Sequence, residues 1–405
     1  MALLQRAIEI IYNLLQDHYD VGHPSKQFFL LRCLDVVSPA MLIPRPRSNL
    51  EVAIKTLCLG IMISHIVGLT YDLCQQTDVR LAMDMLSMLS LFSSTIMRGM
   101  CMQQYTSHIH TLEKIERKPT FRVGKPYVDL TRKTVASQNN RVLGCVLVMH
   151  FLTASVYVCQ NMMMKDSFVK IITCFPFDLS PPLEKLAELC YSLVGYLWAW
   201  YHAATQLTII VLLRFAITEF RVFLHSLATL DDQIQERLLV DHDEERVVRD
   251  LLHEHARQHS HLVVVVMRLR ELLRTYSLLH FFFYMIIMAS LMTRTAIIPG
   301  SSSLGYAIPL LVALIFFFET FGLCMLVESL VQLNRKVSIQ LYEFSWPQYL
   351  RYGRSLKRTM ILMIMQANTT QDFSAGGMTT VSAELFAKSC RLIYTITMFM
   401  ANLAS

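Results

Sequence analysis

The chain has 405 residues, of which 54% are hydrophobic and 17% charged, with a mean hydropathy of +0.40. Soluble domains carry roughly 25% charged residues, so this composition excludes an ordinary soluble globule and predicts a protein with several membrane spans. The net charge of +6 is modest and concentrated in particular loops, and it gives no reason to expect a nucleic-acid partner.

Apolar stretches of the roughly 20 residues that a bilayer requires recur along the chain. They follow an amphipathic segment, residues 1–19, which shows no signal-peptide pattern, and a proline-rich stretch at 39–47. The predicted spans are 50–73, 81–104, 142–164, 186–215, 272–298, 306–333 and one that begins near 379. The sequence therefore predicts an all-α membrane protein with seven transmembrane helices.

Lysine and arginine are unevenly distributed between the loops. They concentrate in the loops after spans two, four and six, and the opposite loops contain few of them. By the positive-inside rule, the N-terminus is expected in the cytosol and the C-terminus outside the cell. This orientation is the inverse of a G-protein-coupled receptor and argues against that class. The charged, helix-like stretch 220–270 predicts that spans four and five continue beyond the membrane.

The last span carries a polar stripe. At about 100° per residue, one sector of this helix contains Glu384, Lys388, Arg391, Thr395, Phe399 and Asn402. Charges within a membrane helix normally face water or protein, and a polar stripe with one large apolar residue is typical of a helix that lines an aqueous path with a hydrophobic constriction. A helix packed inside a bundle remains the alternative.

Other candidate sites are weaker. His255 and His259 are four residues apart and could share a zinc ion, but a solvated helix is the preferred interpretation, and we predict neither metal nor cofactor. Asn368 begins a glycosylation sequon on the predicted cytosolic side, where we expect it to be unmodified. The sequence contains no phosphate-binding glycine loop, nucleophile triad or paired carboxylates in a plausible site, so no enzymatic activity is predicted.

Several short motifs, together with the topology, resemble the insect odorant receptor family. They are Phe175-Pro-Phe-Asp178, Ser345-Trp346, Phe373-Ser-Ala-Gly-Gly377, Leu385-Phe386 and Thr395-Ile-Thr-Met-Phe-Met-Ala-Asn-Leu403. The last of these is similar to a degenerate form of the signature of the related gustatory receptors, with Ile396, Asn402 and Leu403 in place of tyrosine, glutamine and phenylalanine. These departures favour an odorant receptor over a gustatory receptor.

The resemblance implies a tetrameric, ligand-gated, non-selective cation channel. It divides the chain into three regions. Residues 1–333 contain spans one to six, with the odorant pocket in their outer halves and the cytosolic extension 216–271. Residues 334–378 form a cytosolic anchor segment, and residues 379–405 form the pore-lining span. It also implies an odour-tuning subunit that assembles with a common co-receptor, because the 220–270 loop is shorter than the co-receptor's. The resemblance places Phe399 and Leu403 at the hydrophobic gate and Asn402 beside it, and the polar stripe adds Lys388, Arg391 and Thr395 to the predicted pore lining. Lys388 and Arg391 place positive charge along a cation path, which suits a minority subunit of a heteromer.

The resemblance places the odorant pocket among spans two to six, in their outer halves. The residues read from these halves are Met88, Phe92, Phe151, Tyr157, Tyr191, Gly195, Trp198, His202, Ile287, Tyr306 and Phe317. The four from Tyr191 to His202 are spaced by four, three and four residues and therefore share one helix face. Packing within the bundle or a place in an interfacial aromatic belt is the preferred role for each single aromatic residue, and packing within the bundle is the preferred role for His150 and His202.

The sequence thus predicts an odour-tuning receptor subunit in the plasma membrane of olfactory sensory neurons. Its expected partners are co-receptor subunits, membrane lipid and a small volatile apolar or aromatic odorant. A gustatory-type channel that opens as a homomer is the first alternative. A transporter is the second, although transporters are usually built from repeated halves and the two halves of this chain share no similarity.

Overall fold

The computed structural model describes residues 48–77, 79–117, 125–163, 181–297, 303–344, 351, 354–369 and 372–404, which are almost entirely helical. The helices are α1 (Asn49–Gln75), α2 (Val79–Gln104), α3 (Thr106–Arg117), α4 (Lys125–Met163), α5 (Pro181–Ala228), α6 (Leu230–Leu238), α7 (Glu244–Ile297), α8 (Ser303–Glu343), α9 (Arg354–Asn368) and α10 (Ala383–Ala404). The N-terminal segment and the motifs Phe175-Pro-Phe-Asp178 and Ser345-Trp346 lie outside the described residues.

A helix lies at each of the predicted spans, namely α1, α2, α4, α5, α7, α8 and α10. By length and composition, four stretches within the described ranges can cross a membrane: Asn49–Gln75, Met85–Gln104, a part of Glu244–Thr295, and Pro309–Glu343. The chain is therefore a predominantly helical, multi-pass membrane protein. The total of seven spans and the orientation of the termini stay predictions.

Helix α1 has the surface expected of a lipid-facing helix. Its first turn is capped by the Ser48 hydroxyl, which accepts a hydrogen bond from the Glu51 backbone N–H at 3.1 Å. One narrow face is buried, and large apolar side chains elsewhere on the helix are exposed: Leu50, Ile54, Leu57, Ile63, Val67 and Tyr71. An exposed apolar surface of this extent is unfavourable in water, so these side chains are expected to contact lipid.

Helices α5 and α7 form the centre of the bundle. Their apolar runs contain no proline after the first turn of α5, and they extend over 48 and 54 residues, or about 70 and 80 Å at about 1.5 Å per residue. Both lengths exceed the roughly 30 Å of hydrocarbon in a bilayer. The two helices therefore extend beyond the membrane, as the charged stretch 220–270 predicts.

Ion pairs link the parts of α4, α5 and α7 that lie beyond the predicted spans. We call these parts the extension. The Arg132 guanidinium of α4 donates to both carboxylate oxygens of Glu219 on α5, at 3.0 and 2.7 Å, and the Glu219 side chain is almost fully buried. On the surface, Arg351 donates to Glu244 at the start of α7, at 2.8 Å. A buried bidentate pair fixes geometry more strongly than an exposed one, so the Arg132–Glu219 contact holds α4 in register with α5.

The histidines of α7 pack within the extension. His255 Nε2 lies 2.8 Å from Ser226 Oγ, and His255 Nδ1 lies 2.8 Å from the Leu251 carbonyl oxygen, so both ring nitrogens are occupied. The His259 ring packs against Phe223, with 5.8 Å between ring centroids. No group of three or more side chains able to hold a metal ion occurs in the described part of the chain. Both side chains are buried, so the solvated helix face expected from the sequence is wrong here, and the contacts assign these histidines to helix packing.

The buried His259 makes the extension sensitive to acid. Burial lowers the pKa of His259 from 6.5 to about 4. Between these values the unfolded chain binds more protons than the folded chain, so stability is lost as the pH falls from about 6.5 towards 4, by up to about 3 kcal/mol. We expect the thermal midpoint of the purified protein to be lower at pH 5 than at pH 7.5, and His259→Phe to reduce that difference. The exposed His253 is the control: His253→Phe should leave the difference unchanged, and an equal effect of both substitutions would contradict the assignment.

A small hairpin precedes the last helix. Strand β1 (Ser374–Ala375) pairs antiparallel with β2 (Thr379–Thr380). The turn requires positive φ at Gly376 and Gly377, at 63° and 83°, a backbone conformation that glycine adopts without steric cost. The Gly376 N–H donates to the Arg274 carbonyl at 2.8 Å. The hairpin therefore fixes the start of α10 against α7.

Candidate functional site

A cavity of about 80 Å³ lies between α2, α4, α5 and α8. Its lining residues are Met88, Leu91, Phe92, Thr95, His150, Thr153, Gly195, Trp198, Ala199, His202, Val312, Ile315 and Phe316. Spacings of three and four residues place the contributions of each helix on one face. We call this space the upper cavity, and its walls are mostly apolar, as in sites for small apolar ligands.

Aromatic contacts hold one wall of the upper cavity in place. Phe92 and Trp198 stack with 4.3 Å between ring centroids and 17° between ring planes. The Trp198 indole N–H donates to His65 Nδ1 at 3.0 Å. With its polar atom satisfied, the indole ring presents an apolar surface of defined orientation to the cavity.

A buried ionic cluster borders the upper cavity. The Arg98 guanidinium of α2 donates to Glu319 Oε1 on α8 at 2.5 Å. His202 Nε2 donates to the other carboxylate oxygen, Oε2, at 3.1 Å, because an ionised carboxylate only accepts. On α7, His280 Nδ1 lies 3.6 Å from Glu319 Oε1. We call Arg98, His202, His280 and Glu319 the ionic cluster, and it joins α2, α5, α7 and α8 at one point.

Aromatic rings enclose the guanidinium of the ionic cluster. The Arg98 side chain is fully buried, with its Cζ 5.7 Å from the Tyr276 ring centroid and 5.6 Å from that of Phe316. Cation–π attraction is strongest where water is excluded. Phe316 also lines the upper cavity, so one ring borders both the cavity and the Arg98 guanidinium.

A second cavity, of about 500 Å³, also borders the ionic cluster and is lined from α4, α5, α7 and α8. Glu319 and His280 contribute to its lining, with Gln206 and Arg214 of α5. We call it the lower cavity. His150 lines both cavities, so its imidazole marks the boundary between them.

The residues predicted to bind ligand are only partly brought together. Five of them line the upper cavity: Met88, Phe92, Gly195, Trp198 and His202. Three described residues do not: Phe151 is exposed and packs against Tyr196, Ile287 is buried in the core, and Phe317 contacts the last helix. The side chains of Tyr157, Tyr191 and Tyr306 lie outside the described residues. Ligand binding by this set stays a prediction.

The polar stripe of α10 lies opposite the face that packs on the bundle. Phe386, Ser389 and Ile393 are buried, and they lie about 180° around the helix axis from the stripe at about 100° per residue. Lys388, Arg391, Thr395, Phe399 and Asn402 are exposed, and the side chain of Leu403 is not described. Lys388 forms an exposed ion pair with Glu384 at 2.7 Å. Within a single chain, then, the bundle leaves the stripe uncovered.

Helix α8 contacts both the upper cavity and the last helix. Phe316 lines the cavity, whereas the next residue, Phe317, packs against Phe386 of α10 with 5.1 Å between ring centroids. Phe321, one turn further along α8, lies 5.5 Å from the same ring. Helix α8 therefore lies between the upper cavity and α10 and contacts both.

Sequence reasoning missed the ionic cluster except for His202. Arg98, His280 and Glu319 fall within predicted spans two, five and six. Ionisable residues at such positions are costly and usually functional, which is the signal that could have identified them. The partners could not have been named, since Arg98 and Glu319 are 221 residues apart in the sequence.

The close approach of α2 and α5 near the cluster depends on Gly99. A Cβ at this position would lie 1.8 Å from Tyr201 Oη and 2.5 Å from Tyr201 Cζ, and Tyr201 is buried. Gly99→Ala is expected to destabilise the folded protein by about 1–3 kcal/mol, measured as a lower thermal midpoint in detergent. In the control Gly60→Ala, the added Cβ meets no atom within 4 Å, so a neutral or slightly stabilising effect is expected. Equal midpoints for the two variants would contradict this packing.

This arrangement, a bundle of membrane-length helices around buried cavities, defines a multi-pass helical membrane protein. The family model described as 7tm odorant receptor matches residues 78–394. The chain therefore belongs to the insect odorant receptor family, whose fold is that of receptors and not of enzymes.

Solved structures support the fold assignment. The chain is similar to the insect olfactory receptor OR5 from Machilis hrabei in complex with eugenol, with a TM-score of 0.77 and 13% identity over 95% of this chain and 100% of that one. For the structure of the same receptor described without eugenol, the TM-score is 0.72 and the identity 12%, over 91% and 94% of the two chains. A comparison with curated proteins found no match.

Proposed function

We propose that the chain is an odour-tuning subunit of a heteromeric, odorant-gated, non-selective cation channel formed with the odorant co-receptor. The observation that carries the proposal is the position of α8, which contacts both the upper cavity and the last helix. Membership of the odorant receptor family makes the ligand a small volatile molecule. The solved relative that contains eugenol supports a small aromatic ligand.

The odorant site is assigned to the upper cavity. Its walls are apolar, its aromatic rings are held by stacking and by the hydrogen bond from Trp198 to His65, and its polar groups are few. These are the properties of a pocket that binds a small apolar ligand. Gly195 and Ala199 bring little side-chain bulk to the α5 wall, which leaves room for a flat ring.

Opening is assigned to a shift of α8 relative to α10. A ligand in the upper cavity contacts Phe316 and changes the position of α8. Phe317 and Phe321 then press on Phe386, and α10 moves Phe399 and Leu403 away from the pore axis. A hydrophobic constriction gates by excluding water, so withdrawal of these side chains admits water and cations.

The exposure of the α10 stripe supports its place at a pore shared between subunits. The stripe contains Lys388 and Arg391, whose charges are unfavourable for cations when repeated four times around one axis. In a heteromer, co-receptor subunits replace some copies of this chain, so fewer of these charges surround the pore. This consideration favours a tuning subunit over a channel built from four copies of this chain.

The proposed topology has seven spans, the N-terminus and the anchor segment 334–378 in the cytosol, and the C-terminus outside the plasma membrane of an olfactory neuron. The sequon at Asn368 then lies in the cytosol and stays unmodified. Two contacts support an unmodified Asn368: its Oδ1 accepts from Ser338 at 2.5 Å and its Nδ2 donates to Tyr342 Oη at 2.9 Å. Glycan attached at Asn368 would overturn the orientation.

Whole-cell currents test the proposal. Cells that express this chain with or without an insect odorant co-receptor are exposed to a panel of small aromatic and heterocyclic volatiles. Cation current that requires both proteins is the expected result. Current from this chain alone would identify a gustatory-type homomer instead. If neither set of cells shows an odour-evoked current although the chain is present at the cell surface, the result would contradict the channel assignment and favour a transporter.

A further inference from the structure

One ring nitrogen at the boundary of the two cavities has no hydrogen-bond partner in the part of the chain that the structure describes. His150 Nδ1 lies 2.8 Å from the carbonyl oxygen of Val146. A carbonyl oxygen only accepts, so Nδ1 carries the hydrogen of this bond. In a neutral imidazole the other nitrogen is then an acceptor. His150 Nε2 is buried, and no hydrogen-bond partner for it occurs among the described residues.

The other polar side chains that line the upper cavity, Thr95, Thr153 and His202, already have hydrogen-bond partners. His202 has Thr95 Oγ1 3.1 Å from its Nδ1 and Glu319 Oε2 3.1 Å from its Nε2. The Thr153 hydroxyl donates to the Met149 carbonyl at 2.9 Å. An acceptor left unsatisfied in the interior costs about 1–3 kcal/mol. The His150 side chain, only 6% exposed, is therefore a position at which a ligand that supplies a donor gains binding energy.

The ionic cluster excludes a charged donor. A ligand cation entering this region requires a carboxylate of its own, because an unpaired buried charge is very unfavourable. The nearby Glu319 already accepts from Arg98 and His202. A neutral hydroxyl or N–H group, by contrast, satisfies His150 Nε2 without disturbing these pairs.

We propose that this chain is tuned to small, mostly apolar molecules that carry one neutral hydrogen-bond donor, such as phenols and compact alcohols, and that His150 Nε2 accepts from that donor. The proposal rests on the part of the proposed function that makes the upper cavity the ligand site. The apolar body of the ligand contacts Phe92 and Trp198, and its hydroxyl reaches His150. Hydrocarbons of the same shape leave Nε2 unsatisfied and bind more weakly.

Binding to the purified full-length protein tests the inference independently of channel opening. The probes are isosteric pairs in which a methyl group replaces the hydroxyl: 4-methylphenol with 1,4-dimethylbenzene, and benzyl alcohol with ethylbenzene. Affinities are measured from ligand-dependent shifts of the thermal midpoint. One satisfied acceptor corresponds to a preference for the hydroxyl compound of at least about tenfold in Kd. Equal affinities within both pairs, or no shift with either hydroxyl compound, would overturn the inference.

Two variants test whether the preference for hydroxyl compounds depends on His150 Nε2. His150→Phe keeps a planar ring and removes the acceptor, so it should abolish the preference while binding of 1,4-dimethylbenzene is retained. His253→Phe makes the same change at an exposed histidine of α7 that lines neither cavity, and it should leave the preference unchanged. If His150→Phe does not fold, the wild-type pairs still decide the ligand class. Selective binding without odour-evoked current would retain this inference and contradict the proposed channel function, which separates the two.

Discussion

Glu319→Leu is expected to destabilise the folded receptor by about 3–5 kcal/mol, the usual cost of removing one partner of a buried ion pair. The substitution leaves the Arg98 guanidinium buried without its carboxylate and removes the acceptor of His202. Since α2, α5, α7 and α8 meet at this cluster, the effect should extend to the whole bundle. The expected measurements are a thermal midpoint several degrees lower in detergent and a strong loss of protein at the cell surface.

The double variant Arg98→Met/Glu319→Leu separates charge from packing. With both charges replaced by apolar side chains of similar length, no ion is left uncompensated, and much of the lost stability should return. Glu245→Gln is the control, because the pair between Glu245 and Arg249 is exposed on α7 and such pairs contribute about 0–1 kcal/mol. A double variant less stable than Glu319→Leu alone would contradict this account.

Phe399→Ala is expected to produce a receptor complex that conducts without odorant. In the proposed mechanism Phe399 narrows the pore, and its side chain is 62% exposed in the single chain. Truncation removes the apolar ring that excludes water from the constriction. We expect basal cation current, measured in cells that also express the co-receptor, to rise by at least about tenfold, which corresponds to about 1.4 kcal/mol in the equilibrium between closed and open states.

Tyr394→Ala is the matched control for the gate. Tyr394 is an aromatic residue of similar exposure, 66%, on the same helix, but it lies about 140° from Phe399 around the axis at about 100° per residue. Its truncation should leave basal current unchanged. A rise of the same size in both variants would indicate a general loosening of α10, and no rise in either would remove Phe399 from the gate.

The sequence predicted the positions of the helices better than their extent. Apolar runs located all the helices assigned to spans, because burial in lipid or protein requires such runs. Helix α4, however, begins at Lys125, well before the predicted start at residue 142. Its polar first half is stabilised by contacts made outside the predicted span, such as the pair between Arg132 and Glu219. Hydropathy alone carries no information about such contacts.

The candidate site, too, could be predicted from the sequence only in part. Spacing alone placed Gly195, Trp198 and His202 on one face of α5, and that face does line the upper cavity. Periodicity cannot identify the helix that lies opposite a given face. Phe317, which the resemblance named for the pocket, packs against Phe386 of α10 and does not line the upper cavity. The unsatisfied nitrogen of His150 depends on a hydrogen bond to Val146 and on the tertiary contacts that exclude other partners, neither of which is apparent from composition or spacing.

Phe316 and Phe317 are adjacent residues of α8, and this adjacency has a consequence for how such a receptor can diversify. One of the two rings borders the upper cavity and the other borders α10. Within the proposed mechanism, a substitution on the α8 wall therefore alters odour preference and resting activity together. Substitutions at Gly195 or Ala199 on the α5 wall alter preference alone. Divergence between duplicated receptor genes is thus expected to accumulate on the α5 wall, while α8 varies more slowly.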